Sequence, residues 1–251
     1  VMNLILAANR WQFVTFPFDV QVSDIKPVDD NTSWVIRGHN GQARANGNMD
    51  NVWYNLSADD VLEAGKGYIM HCYNPANYEM ASFTVTPLKS SLNRQLIFSA
   101  EDREVELEEM PSEFSHNSSW NFIGNPYPSY YDSRYMDLSA PFIVWNSAEQ
   151  NYEAFSPADD DYILSPGEAF FLQRPVDQPS VTFLAEGRQT NELVRDMDAS
   201  GARAFDAGVR KVFNFTLGNG ESSDRTRVVI NPEASALYEV SCDASKFSNS
   251  D

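Results

Sequence analysis

Trp11-Gln12-Phe13-Val14-Thr15-Phe16-Pro17-Phe18 and Trp120-Asn121-Phe122-Ile123-Gly124-Asn125-Pro126-Tyr127 decide how this chain is read. Trp, Phe, a β-branched or small residue, Pro and an aromatic fall at matching positions in both. An aromatic run that stops at Pro is a strand signature, because Pro has no amide hydrogen to give a central ladder. Further blocks recur in the same order. Ala58-Asp59-Asp60 answers to Ala158-Asp159-Asp160, and Leu62-Glu63-Ala64-Gly65-Lys66-Gly67-Tyr68-Ile69 answers to Leu164-Ser165-Pro166-Gly167-Glu168-Ala169-Phe170-Phe171. Each copy closes on a strand-like stretch, 81–86 and 180–185. Four blocks in one order, differing only in the lengths between them, predict an internal repeat.

Outside these blocks the local pattern has period two. Ser82-Phe83-Thr84-Val85-Thr86, Glu104-Val105-Glu106-Leu107-Glu108 and Phe213-Asn214-Phe215-Thr216-Leu217 alternate as half-buried strands do. His39-Asn40-Gly41, Asn46-Gly47-Asn48 and Gly218-Asn219-Gly220 read as turns. The expected fold is all-β, with two related antiparallel units of sandwich or barrel type and a short C-terminal β segment. Residues 1–88 form the first unit, and 89–117 a connection containing a hairpin of 95–98 with 105–107. Residues 118–190 form the second unit. Residues 191–251 supply a linker, with the strongest helical pattern at 192–205, and strands at 212–217, 227–231 and 237–242.

The 251 residues are 42% hydrophobic and 13% aromatic, enough for a core in each unit and too aromatic for a disordered chain. Eighteen Lys and Arg face 36 Asp and Glu, a net charge of −18. That balance repels phosphate backbones and anionic lipid, so nucleic acid is excluded as a partner. No apolar run is long enough for a transmembrane helix. Cys72 and Cys242 make no disulfide framework, and Cys72, inside Tyr68-Ile69-Met70-His71-Cys72-Tyr73, reads as a buried thiol. The strand-like opening Val1-Met2-Asn3-Leu4-Ile5-Leu6 reads as a piece of a longer, processed chain.

Trp120-Asn121-Phe122-Ile123-Gly124-Asn125-Pro126-Tyr127-Pro128-Ser129 resembles the WN-hydrophobic-GNPYPS segment of large secreted and cell-surface proteins of Bacteroidetes. Leu62-Glu63-Ala64-Gly65-Lys66-Gly67-Tyr68 resembles their LxxGKGY segment. Ser223-Asp224-Arg225-Thr226-Arg227-Val228, with Tyr238 and Asp243-Ala244-Ser245-Lys246-Phe247, is similar to a third stretch of the same proteins. The resemblance covers about half of the chain, in islands. It implies an extracellular or outer-surface location and a scaffold or adhesion-like β module, and it carries no catalytic residue.

The residues themselves offer little chemistry. Gly65-Lys66-Gly67 lacks the spacing of a phosphate loop, and the second copy has Glu168 in place of Lys66. His39, His71 and His116 have no metal-binding spacing, and no Gly-x-Ser-x-Gly occurs. The catalytic set is therefore empty and no cofactor is required. Three acidic or aromatic clusters remain as candidates. Asp159, Asp160 and Asp161 are candidate Ca²⁺ ligands, set against turn-capping carboxylates. Glu104, Glu106 and Glu108 share a strand face, where like charges normally meet water. Tyr127, Tyr130, Tyr131 and Tyr135 are a candidate glycan or protein platform, set against a cap over the core. The expected function is a non-enzymatic extracellular structural or interaction module whose partner is a protein or glycan at the cell surface. The alternatives are a carbohydrate-binding module of a polysaccharide-utilising system and a glycoside hydrolase working through a carboxylate pair.

Overall fold

The computed structural model describes residues 1–75, 77, 79–88, 101–158, 161–190, 211–218, 223–230, 237–240 and 243. They form an all-β, sandwich-like protein of antiparallel sheets. β1 (Met2–Ala7), β9 (Met80–Val85) and β4 (Ile25–Pro27) make a three-stranded sheet in the order β1-β9-β4. β2 (Trp11–Thr15), β8 (Gly67–Tyr73), β5 (Ser33–His39) and β6 (Trp53–Asn55) make a four-stranded sheet in the order β2-β8-β5-β6. β3 (Val20–Gln21) pairs with β7 (Val61–Leu62) at the rim.

The later strands have the same orders. β10 (Arg103–Glu106), β18 (Ser180–Phe183) and β13 (Met136–Asp137) run β10-β18-β13. β11 (Trp120–Gly124), β17 (Ala169–Gln173), β14 (Phe142–Asn146) and β15 (Asn151–Phe155) run β11-β17-β14-β15. β12 (Tyr130–Asp132) pairs with β16 (Ile163–Leu164), as β3 does with β7, and also with β19 (Arg188–Gln189).

Alternation explains the layers. Leu4, Leu6, Phe83 and Val85 of the first three-stranded sheet pack onto Val14, Ile36, Met70 and Cys72 of the first four-stranded sheet. Val105, Val181 and Phe183 pack in the same way onto Ile123, Phe142, Phe170 and Leu172. The opposite faces of the two four-stranded sheets, bearing Ile69, Trp120, Phe122, Ile143 and Phe171, meet in a third cluster, with Phe13 and Trp11 against it. The central strands are thus covered on both faces. β17 is buried along its whole length, and only His71 and Tyr73 of β8 escape. This is why both read as apolar runs without alternation.

The seam between the four-stranded sheets is aromatic. Phe122 stacks on Phe171 at 4.2 Å, and Phe13 meets both rings edge-on at 4.7 and 5.4 Å. Its hydrogen bonds are reciprocal. Thr15 N–H donates to Gly167 O at 2.9 Å, and Gly124 N–H donates to Gly65 O at 2.9 Å. Gly65 and Gly167 have φ of +76° and +78°, the left-handed region in which a glycine turn costs no Cβ clash.

Several expectations change. β10 is hydrogen-bonded to β18, which places it at the edge of the second three-stranded sheet. Its expected partner, 95–98, lies outside the described residues, as does 192–205. The Asn40-Gly41 turn is the start of α1 (Gly41–Ala45), because the Asn40 side chain accepts from Ala43 N–H at 3.0 Å and caps a helix. β20 (Lys211–Gly218) and β21 (Ser223–Ile230) form the C-terminal hairpin. Of the strand expected at 237–242, residues 237–240 turn instead. Asp243 N–H donates to Glu239 O at 2.7 Å, and the Asp243 carboxylate accepts from Glu239 N–H at 2.8 Å.

Candidate functional site

The four tyrosines divide. Tyr127 is fully buried, with its hydroxyl 2.8 Å from Phe183 O and 2.9 Å from Glu101 O. Tyr131 is also fully buried, stacks on Tyr127 at 5.6 Å and donates to Tyr135 O. Burial pushes the Tyr127 phenol up to about 12. Tyr130 and Tyr135 are half-buried. The group caps the second core, and no coplanar exposed row is available to a sugar, because two of its four rings fill that core.

Of the acidic run, Asp159 and Asp160 lie outside the described residues. Asp161 pairs with Arg134 at 3.0 Å, and Arg134 also forks onto the buried Asp132 at 2.9 and 2.6 Å. In the first unit Asp60 accepts from Ser57 N–H at 2.6 Å and from its hydroxyl at 2.8 Å, which caps a turn and lowers the carboxyl. Among the described residues no group of three His, Cys, Asp or Glu could hold a metal ion. Glu104, Glu106 and Glu108 are exposed, while Val105 and Leu107 between them are buried. Cys72 is buried, with its thiol donating to Ala7 O at 3.6 Å, and Cys242 lies outside the described residues.

A different place has the geometry of a site. A partly open cleft of about 160 Å³ lies between the two sandwiches. Trp120, Phe122 and Met110 line one side, and His39, Tyr54 and Gly67 the other, with Lys66, Glu63 and Glu108 at its polar end. Glycines let its walls come into close contact. A Cβ at Gly67 would stand 2.6 Å from Phe122, and one at Gly41 would stand 2.2 Å from the Met110 sulfur. The buried Asn121 side chain holds the 106–110 wall in place, accepting from Glu108 N–H at 2.7 Å and donating to Glu108 O at 2.9 Å.

His39 ends β5 and stands against Phe171 at 4.8 Å and Trp53 at 5.3 Å. Its Nε2 is shut from solvent with no hydrogen-bond partner. Burial, helped by the charge of Arg44, lowers this imidazole to about 3, so it is neutral at physiological pH. The Tyr54 phenol is held above its usual value by burial and by the carboxylates of Asp60, Glu63 and Glu108. Glu63 N–H donates to the Tyr68 hydroxyl at 2.8 Å, which anchors the backbone of Glu63 beside the cleft. Lys66 makes only long contacts, 3.4 Å to Glu108 Oε1 and 3.5 Å to Glu106 O.

The corresponding place on the other side of the seam is filled. Ile36 pairs with Met70 as Phe142 pairs with Leu172, so His39 corresponds to Trp145. The Trp145 indole donates to Trp11 O at 2.9 Å and packs on Tyr152 at 4.9 Å. Glu168, which precedes β17 as Lys66 precedes β8, accepts from the Tyr162 hydroxyl at 2.5 Å and from Ser165 N–H at 2.7 Å. Sequence reasoning weighed His39 only as a metal ligand and Lys66 only as a phosphate-loop lysine. The usable signal was that both positions differ between the two sets of matching sequence blocks. Comparison with known protein families, curated proteins and solved structures finds no match to this chain.

Proposed function

We propose that the protein is a non-enzymatic, extracellular or cell-surface interaction module made from a duplicated β unit. The observation that carries this reading is the aromatic seam. Phe13, Phe122 and Phe171 interlock, and the Thr15–Gly167 and Gly124–Gly65 hydrogen bonds close it from both sides. Two sandwiches joined in this way are a rigid body suited to holding a partner or a spacing, where an enzyme with a moving lid needs a loosely held part. The resemblance to Bacteroidetes surface proteins and the net charge of −18 agree with an exposed location and with partners other than nucleic acid. Antibodies to the chain should label intact, unpermeabilised cells of the source organism or its culture medium. Labelling only after lysis would refute the location.

Glycoside hydrolysis is the second reading, because Glu63 and Glu108 both line the cleft. It requires reducing ends to be released from a polysaccharide panel and the release to be lost in Glu63→Gln or Glu108→Gln.

A further inference from the structure

The second sandwich covers only part of the sheet face that the first turns toward the seam. Phe13, Ile69, His39 and Trp53 lie against it. The same face continues into Trp11, His71, Tyr73, Val35, Arg37 and Asn55, by alternation along each strand and by the pairs Trp11–His71, His71–Val35 and Arg37–Asn55. Here Tyr73 is 42% exposed, Asn55 is exposed, and His71, Val35 and Arg37 are half-buried.

Arg37 is held in place before any partner arrives. Its Nε–H donates to Asn55 Oδ1 at 2.9 Å, and the guanidinium carbon sits 4.8 Å from the centre of the Trp11 ring. Its two Nη groups make no hydrogen bond and no ion pair among the described residues, and neither is sealed from solvent. This guanidinium lacks a carboxylate in a chain where 36 acidic residues face 18 basic ones. A planar fork fixed in this way takes a carboxylate through two parallel N–H···O bonds. His71 stands 5.3 Å from the same indole. Tyr73 follows two residues on, roughly 7 Å along β8.

The second four-stranded sheet has no such opening. By register Gln173 stands where His71 does, and Ile143 where Arg37 does. Gln173 donates to Ser118 O at 2.8 Å and accepts from the Tyr238 hydroxyl at 2.5 Å, and Ile143 is buried. The chain covers these positions itself in one sheet and leaves them open in the other.

Charge and shape choose the occupant. The net charge of −18 turns away a polyanion, but it repels a single carboxylate little, because charges more than about 8 Å apart are largely screened at physiological ionic strength. A sheet face offers side chains only, since its backbone groups are spent in the ladders, so a peptide laid across it gains no main-chain bonds. A sugar ring needs none. It packs its C–H face on an aromatic ring and bonds through its substituents. We infer that this open face binds a terminal acidic sugar, with its carboxylate forked by Arg37, a hydroxyl on His71 and its ring against Tyr73. The inference rests on the interaction-module reading in taking binding to occur without turnover, and it moves the sugar-binding alternative from the Tyr127 group to this face.

The test is titration of the full chain with methyl β-D-glucuronide and methyl α-N-acetylneuraminide, followed by calorimetry and by the indole N–H signals. Methyl β-D-glucoside serves as the uncharged twin, and N-acetylglycylglycine as a peptide carboxylate. Saturable binding in the millimolar range is expected for at least one acidic sugar, with the glucoside weaker by about tenfold or more. Arg37→Gln should weaken it by about tenfold or more, and Arg37→Lys, which keeps the charge and loses the fork, several-fold. Tyr73→Ala should also weaken it several-fold. These positions are exposed or half-buried, so each variant should fold, and its melting curve checks this. Flat titrations with both acidic sugars overturn the inference. So does equal binding of the glucoside, binding that Arg37→Gln leaves unchanged, or binding of N-acetylglycylglycine as tight as that of any sugar, which would make the occupant a peptide end. Release of methanol from either acidic glycoside would overturn the non-enzymatic reading, whereas flat titrations overturn only the acidic-sugar inference.

Discussion

The two sandwiches share strand order, turn glycines and seam, and they differ where the seam meets solvent. On one side His39, Lys66 and Gly67 border a cleft. On the other, Trp145, Glu168 and Ala169 stand at the corresponding positions, and the indole closes the space onto Trp11 O. The β5–β6 connection carries α1 and walls the cleft, whereas β14 and β15 are joined by a tight turn with Gln150 at a φ of 53°. The shared positions are those a seam needs in order to exist. Three positions that differ, His39, Lys66 and Gly67, lie around one cavity.

The largest expected effect breaks the seam itself. Phe122→Ala should cost about 3–5 kcal/mol, because the ring is buried and contacts Phe13, Trp53 and Phe171. Phe13→Ala, at the matching but half-buried position, should cost less. Urea unfolding of both variants measures the difference, and equal losses would show that the seam is not asymmetric.

Next is the exchange of small residues. Gly67→Ala forces a methyl to within 2.6 Å of the Phe122 ring and should destabilise by about 1–3 kcal/mol. The mirror change, Ala169→Gly, loses only backbone restriction and one buried methyl, about 1 kcal/mol. Thermal unfolding of the pair should rank them in that order.

A smaller effect depends on pH. His39 titrates near 3 in the folded chain and near 6.5 when unfolded. Between those values the unfolded chain takes up a proton that the folded chain refuses, so this contribution is complete above pH 6.5 and is lost as pH falls toward 3. His39→Phe should flatten the stability curve in that window relative to the parent, whereas Trp145→Phe should not. Parallel curves for His39→Phe and the parent would show that the imidazole is not sealed. The smallest change is Lys66→Gln. It removes a half-exposed contact of 3.4 Å with Glu108 and should shift stability by no more than about 0.5 kcal/mol.

Much of the fold was legible locally. Trp11 to Phe18 and Trp120 to Tyr127 announced β2 and β11, since aromatic strands ending at Pro have few other uses. The Gly65 and Gly167 turns were equally plain. The pairing of β10 with β18 was not legible, because the two strands lie far apart along the chain. The tyrosine cluster was legible as a cluster and not as buried, because a loop sequence does not say which way it folds back. The cleft was not legible at all, since its walls come from β5, β6, β8 and β11 and from the 106–110 segment.

Local sequence was enough for strands, turns and the order of the matching blocks. These follow from period-two burial, from Pro and Gly backbone chemistry, and from spacing, all of which act over a few residues. The tertiary structure alone decided which strands are covered on both faces, that Tyr127 and Tyr131 belong to a core, and that His39 borders a cavity while Trp145 fills its counterpart. Those outcomes depend on two four-stranded sheets meeting face to face, a contact between residues about a hundred positions apart that no local pattern encodes.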